Sequence, residues 1–226
     1  MMGMVRHSHQ DAVSESEFDQ LVKATDELEK PYDAECLFIL VAAGRLGLRA
    51  GEIVHLREGW VDWNTKQIHI PRFDPCDHGN NGSVCGYCRS QAQLAVENGT
   101  YETLEEALNN CWEPKCENSA RIVPFDFDLF VESVIEKFFA DRDRYPHSRA
   151  SVNRRVDRVL EAAGFPSECC YPHSLRATAA SWHAYRGLPA PALQSLFGWS
   201  NIQSAQKYIR LSGGPTAKAL KETHSD

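Results

Sequence analysis

Pro172-His173-Ser174-Leu175-Arg176, followed by Gly198-Trp199-Ser200 and then Tyr208, is the stretch on which the reading of this 226-residue chain turns. Proline suits the first position of a helix, so Pro172 predicts a helix start with His173 and Arg176 three apart on one face. The free amides of such a first turn attract anions. Arginine's planar fork can hold two oxygens of one phosphate, and its charge is permanent. The positive end of the helix dipole favours a neutral His173, able to accept a proton.

Alone, H-x-x-R is more often an ordinary pair on an amphipathic helix, and the residues downstream give it meaning. The helix runs on to Tyr185 and meets a Gly187-Leu188-Pro189 break. A short apolar helix then ends in Leu196-Phe197-Gly198. Ser200 with Gln203 three later reads as a capping box, which places Tyr208 two turns into a last helix. Ile202, Ala205 and Ile209 form that helix's apolar stripe, with Tyr208 on its shoulder.

In order and spacing these residues resemble the tyrosine recombinases, the phage-integrase-type site-specific recombinases. Gly47-Leu48-Arg49-Ala50-Gly51-Glu52-Ile53 resembles the family's first arginine motif, with Arg49 as phosphate clamp and Glu52 as its acidic support. Arg45, one turn earlier, competes for the clamp role. His173 and Arg176 match the second box. Trp199 stands where most members carry histidine and some tryptophan, and Tyr208 follows nine residues later, at the family's spacing for its nucleophile. The family's strand or hairpin lysine matches Lys115, in Trp112-Glu113-Pro114-Lys115 ahead of Arg121-Ile122-Val123-Pro124. Lys66, in the turn Trp63-Asn64-Thr65-Lys66, is the rival. The likeness covers roughly residues 35 to 211, with an insertion between Asp74 and Trp112.

The resemblance implies cleavage and rejoining of DNA through a covalent 3′-phosphotyrosine on Tyr208, with no cofactor needed for catalysis. The groups suit that chemistry. A phosphotyrosine keeps the energy of the broken linkage, so rejoining needs no nucleotide. A phenol titrates near pH 10 and needs a base, for which His173 is the candidate. Arg49 and Arg176 would meet charge developing on the phosphate oxygens, each such donor being worth roughly 3 to 4 kcal/mol. Trp199 would add an indole N–H donor, and Lys115 would protonate the leaving deoxyribose oxygen. The implied partner is double-stranded DNA carrying a specific recombination site, bound by a self-assembled tetramer. Two other readings share the residues: a non-catalytic DNA-binding zinc module acting as a regulator, and a type IB topoisomerase.

Composition limits the alternatives. With 42% hydrophobic residues the chain supports one substantial core. No apolar run nears the roughly 20 residues that span a bilayer, and Met1 to His7 lack a signal-peptide core, so a cytoplasmic location without membrane contact is expected. A net charge of −7 is unusual for a protein that grips a polyanion. Arg142, Arg144, Arg149, Arg154, Arg155 and Arg158 gather ahead of the His173 helix, and of these Arg149, Arg154, Arg155 and Arg158 are the candidate DNA contacts. Acidity with more arginine than lysine points to a high-salt cytoplasm, such as that of a haloarchaeon or its virus or plasmid. There, at about 1 M salt, a Debye length of roughly 3 Å favours contact pairs over steering.

The expected fold is mainly α with a small antiparallel β-sheet, an α+β arrangement like the tyrosine recombinase catalytic domain. Its divisions are a loose N-terminus over 1–13, a catalytic domain over 14–212 and a polar tail over 213–226. About thirty residues precede Tyr32, too few for the family's separate DNA-clamping domain. A fragment, a minimal recombinase holding DNA from one side, or a clamp supplied by a partner would each account for that. Within the insertion, 74–114, Cys76, Cys85 and Cys88 bracket a Cys85-Gly86-Tyr87-Cys88 knuckle, and a structural zinc needs four such ligands. His78 or Cys111 is the expected fourth. Cys36, Cys169 and Cys170 read as buried or incidental.

Overall fold

Ser14 opens the first helix with the reciprocal cap its sequence predicts: its hydroxyl accepts from the Glu17 amide at 3.2 Å, and the Glu17 carboxylate accepts from the Ser14 amide at 2.7 Å. The computed structural model describes residues 12–114 and 119–224. Helix α1 (Glu15–Ala24) leads through a short 3-10 turn into α2 (Tyr32–Gly44). Six consecutive buried residues, Phe38 to Ala43, leave α2 no solvent face along that stretch. It is therefore covered on several sides, by α6 (Leu129–Phe139), α7 (Arg149–Ala162) and α8 (Pro172–Tyr185). Phe38 stacks on Phe138 of α6, with ring centroids 3.5 Å apart. A fully buried side chain of this size contributes about 1.5–3 kcal/mol.

The one charge in the first turns of α2 that goes inside is Glu35, and a buried carboxylate needs partners. Arg155 Nε lies 2.7 Å from it and His147 Nε2 lies 3.0 Å from it. Arg155, expected among the DNA contacts, is thus corrected to a core ion pair: at position seven of α7 it turns inward, and Glu35 takes its charge.

Strands β1 (Val61–Asp62), β2 (Gln67–Ile70) and β3 (Arg121–Pro124) form an antiparallel sheet in that order. Ile68 faces Val123 and Ile70 faces Arg121, so alternation sends both isoleucines, Val123 and Arg121 inward. The insertion occupies the connection from β2 to β3. It carries α4 (Gly86–Glu97) and α5 (Leu104–Asn109), and its ends are tied by backbone bonds between Asp74 and Trp112 and between Cys76 and Cys111.

After α8 come α9 (Ala190–Phe197), α10 (Ile202–Ser212) and α11 (Gly214–Thr223). Alanines 179, 180 and 184 of α8 let Leu193, Phe197 and Ala205 approach closely, building a second small core. Two local expectations change. The cap of α10 is Asn201, whose side chain accepts from the Ser204 amide, and the tail beyond Gly213 is helical, packed on α8. Among the described residues no helix is long and apolar enough to cross a membrane.

Candidate active site

The site is assembled around one carboxylate. Glu52, in the first turn of α3 (Ala50–His55), is buried, and three arginines draw on it or on its neighbours. Its oxygens accept from the Arg49 amide at 2.8 Å, from Arg49 Nη1 at 2.7 Å, and from both Nη atoms of Arg121 at 2.8 and 2.9 Å. Burial alone would push this carboxyl up. The charge and hydrogen bonds of Arg121, with Arg176 and Arg49 adding to them, instead hold it at about 2.

The same arginines take the last carbonyls of α9. Leu196 O accepts from Arg121 Nε at 2.7 Å, Phe197 O from Arg176 Nη2, and Gly198 O from Arg49 Nη2 at 3.5 Å. Carbonyls at a helix C-terminus lack helical partners and carry the negative end of its dipole, so they suit cations. Arg176 Nη1 also donates to Gly47 O, in the left-handed turn before α3. One carboxylate among three guanidinium groups leaves the cluster positive. Burial lowers the Arg176 pKa from arginine's usual value and Arg49 pushes it the same way, while Glu52 and the Tyr208 phenol oppose them. An anion beside Arg176 would relieve both penalties.

A pocket of about 380 Å³ opens at this cluster. Arg49, Glu52, His173 and Arg176 line it, with Arg149 and Asn153 from α7 and Tyr87, Trp112 and Pro114 from the insertion. Pro172 is the first residue of α8, and Ser174 Oγ accepts from the Tyr171 amide at 2.8 Å, so His173 stands exposed on a capped first turn. Tyr208, on α10, stacks on Trp199 with centroids 5.3 Å apart and planes 4° from parallel. Trp199 stacks in turn on Phe197 at 4.8 Å, and the Arg176 guanidinium lies 4.9 Å from the Phe197 ring centroid. The three rings connect the phenol to the arginine cluster.

The sequence-derived candidates therefore separate. Arg49, His173 and Arg176 share the pocket, and Tyr208 joins the Trp199–Phe197 ring stack on which the Arg176 guanidinium also lies. Arg45 is elsewhere, between Phe18 at 3.7 Å and Trp182 at 4.7 Å. Lys115 lies outside the described residues; its neighbours Glu113 and Pro114 line the pocket. Lys66 sits in the β1–β2 turn, 3.1 Å from Glu132 and also paired with Glu136. Arg149 is at the pocket rim, Arg154 is exposed on α7, and Arg158 covers the Tyr32 ring at 3.7 Å. Arg142 and Arg144 are engaged by Phe138 and Asp77.

A second constellation lies behind the pocket. Ligand atoms of His55, Cys76, Cys85 and Cys88 all fall within 4.8 Å of one another. His55 Nε2 is 3.5 Å from Cys76 Sγ, 3.7 Å from Cys85 Sγ and 3.2 Å from Cys88 Sγ. A tetrahedral zinc with ordinary bond lengths has S···N edges of about 3.6 Å. His55 Nδ1 is 2.8 Å from Gly51 O, and donation to that carbonyl leaves Nε2 for a metal. The fourth member of the cluster is thus His55 and not His78 or Cys111. The His78 ring lies edge-on to His55 at 5.3 Å, and Cys111 Sγ donates to the carbonyls of Ala107 and Cys88. His55 and Arg121 were missed in the sequence. An arginine on the inward face of a strand signals a buried acid, whereas nothing in the spacing ties His55 to cysteines 21 or more residues later.

A model of the phage integrase family matches residues 12–213. Among solved structures the chain is similar to XerA recombinase, at 16% identity and a TM-score of 0.59, over 95% of this chain and 65% of that one. It is also similar to the Tn1549 transposon integrase in complex with transposon right-end DNA, at 14% identity and a TM-score of 0.61, over 100% and 69%. A third likeness is to XerH site-specific recombinase in a post-cleavage complex with palindromic difH substrate, at 13% identity and a TM-score of 0.57, over 93% and 52%. The chain therefore spans between about half and two thirds of the proteins it resembles, and at these identities the likeness is one of fold. No curated protein matches the sequence.

Proposed function

The chain belongs to the phage integrase family, and from that premise we propose that it is a site-specific DNA recombinase acting through Tyr208. What supports this reading is the junction of three arginines with the C-terminus of α9, one residue before Trp199, on which the Tyr208 ring stacks. In the proposed step the Tyr208 oxygen attacks a backbone phosphorus while His173 takes the phenolic proton. The bond from phosphorus to the 5′ oxygen breaks, Lys115 protonates that oxygen, and a 3′-phosphotyrosine is left. Reversal by an incoming 5′ hydroxyl rejoins a strand. Arg49 and Arg176 stabilise the charged oxygens, with Glu52 and the α9 carbonyls fixing both guanidinium groups beforehand. Trp199 contributes by stacking, which sets the plane of the nucleophile's ring.

The partner in this reading is duplex DNA with a recombination site, on which copies of the chain assemble as a tetramer. The test is incubation with a pool of nicked duplexes drawn from the DNA flanking its gene. Wild type should give an SDS-resistant adduct and Tyr208→Phe none. An equal adduct from both would move the nucleophile elsewhere, and tight binding without adduct would favour the regulator. Adduct and relaxation of supercoils without dependence on paired sites would favour the topoisomerase.

For the second constellation the reading is one structural zinc held by Cys76, Cys85, Cys88 and His55, closed to water and outside the chemistry. Metal analysis of the purified chain should give about one zinc per chain. Cys85→Ser with Cys88→Ser, or His55→Ala, should remove most of it. Unchanged stoichiometry in these variants would rule those ligands out.

A further inference from the structure

Tyr87 is accounted for neither by the phosphoryl chemistry nor by metal ligation. It sits between Cys85 and Cys88 in the first turn of α4, and its ring lines the arginine pocket. On one side the Arg149 guanidinium, at the first residue of α7, lies 4.7 Å from the ring centroid. On the other, Tyr87 reaches Gly51 in the first turn of α3: a Cβ at Gly51 would stand 3.7 Å from Tyr87 Cε1 and 3.9 Å from its hydroxyl. The ring therefore touches both the first turn of α3, just after Arg49, and the exposed Arg149.

We propose that Tyr87 is a positioning residue for DNA binding: its ring holds Arg149 at the pocket rim, where the guanidinium meets the DNA backbone beside the phosphate clamped by Arg49 and Arg176. A long exposed arginine has many rotamers, and stacking on an aromatic face removes most of them before the phosphate arrives. The ring can do this because the residues on both its flanks are tied to the sulfur–imidazole cluster, whose His55 also stacks on Trp112 at 5.2 Å. The cluster thereby acts on DNA affinity through Tyr87 without touching DNA. In a chain with net charge −7, each arginine held in contact geometry weighs more than diffuse attraction.

The inference rests on the recombinase reading for the pocket's occupant, and its test does not use the nucleophile. Anisotropy titration of a fluorescein-labelled duplex at fixed salt, with the full chain, compares wild type, Y87A, Y87F, R149A and the Y87A/R149A double variant. Y87A should weaken Kd about 2- to 5-fold, and Y87F, which keeps the stack, should restore it. In the R149A background Y87A should cost nothing further. The loss should sit in Kd and not in the rate of adduct formation at saturating DNA. Wild-type affinity in Y87A, the same loss with and without Arg149, or loss of zinc from Y87A would each overturn the proposal. Failure of the recombinase reading shows separately, as absence of adduct in wild type while the Tyr87–Arg149 coupling persists.

Discussion

Glu52 is the residue on which the site's electrostatics depend, because it alone among the described residues offers a carboxylate to both Arg49 and Arg121. Its folded pKa of about 2 lies below the ordinary 4.5, so the folded chain binds that proton more weakly than the unfolded one. The stability it contributes is therefore complete above about pH 4.5 and is lost as the pH falls toward 2, an effect of about 3 kcal/mol. Glu52→Gln should lower stability by about 3–5 kcal/mol at neutral pH, since Arg121 would keep a buried charge without its counter-ion. It should also flatten that acid limb in urea titrations repeated across pH; an unchanged limb would assign the linkage to another group. At this scale the sequence is legible where spacing fixes position, as for His173 and Arg176, which share one face of α8 and line one pocket with Arg49. It is silent where a partner arrives from a distant element: His55 and Cys88 are 33 residues apart, and Arg121 and Glu52 are 69 apart.

Among the elements, the turn from α2 to α3 and the end of α9 do the positioning. Gly47 has φ of +64°, a conformation that side chains disfavour, and a Cβ there would drive into the Phe197 ring. Gly47→Ala should cost about 2–4 kcal/mol from strain and overpacking together, and should weaken DNA binding by shifting the carbonyl that anchors Arg176. Thermal denaturation with parallel DNA titration checks both effects; wild-type values would mean that the turn does not hold Arg176. The span of α8 from Pro172 to Tyr185 and the end of α9 at Gly198 were legible from proline and glycine positions, which are local signals. The α10 cap moved from Ser200 to Asn201, and the polar tail proved helical, because Gly214 packs on the Tyr185 backbone, a contact that local sequence does not report.

At the scale of the whole molecule, the proposed binding of DNA by a chain with net charge −7 requires its positive charge to be concentrated. It does so by surrounding Glu52 with Arg49, Arg121 and Arg176, while Arg155 and Arg144 are spent on Glu35 and Asp77. The architecture was legible in outline, a helical body with one small sheet and a cysteine-rich insertion between two strands. The attachment of that insertion to α3 was not, since it depends on His55 meeting three sulfurs in space. The proposed chemistry requires Arg49, Arg176 and Tyr208 to meet one phosphodiester, and trapping with nicked duplex followed by nuclease digestion and tandem mass spectrometry tests this most directly. A nucleotide linked to Tyr208 is the expected result. A nucleotide on any other residue, or bound DNA that yields no linked peptide, would contradict it.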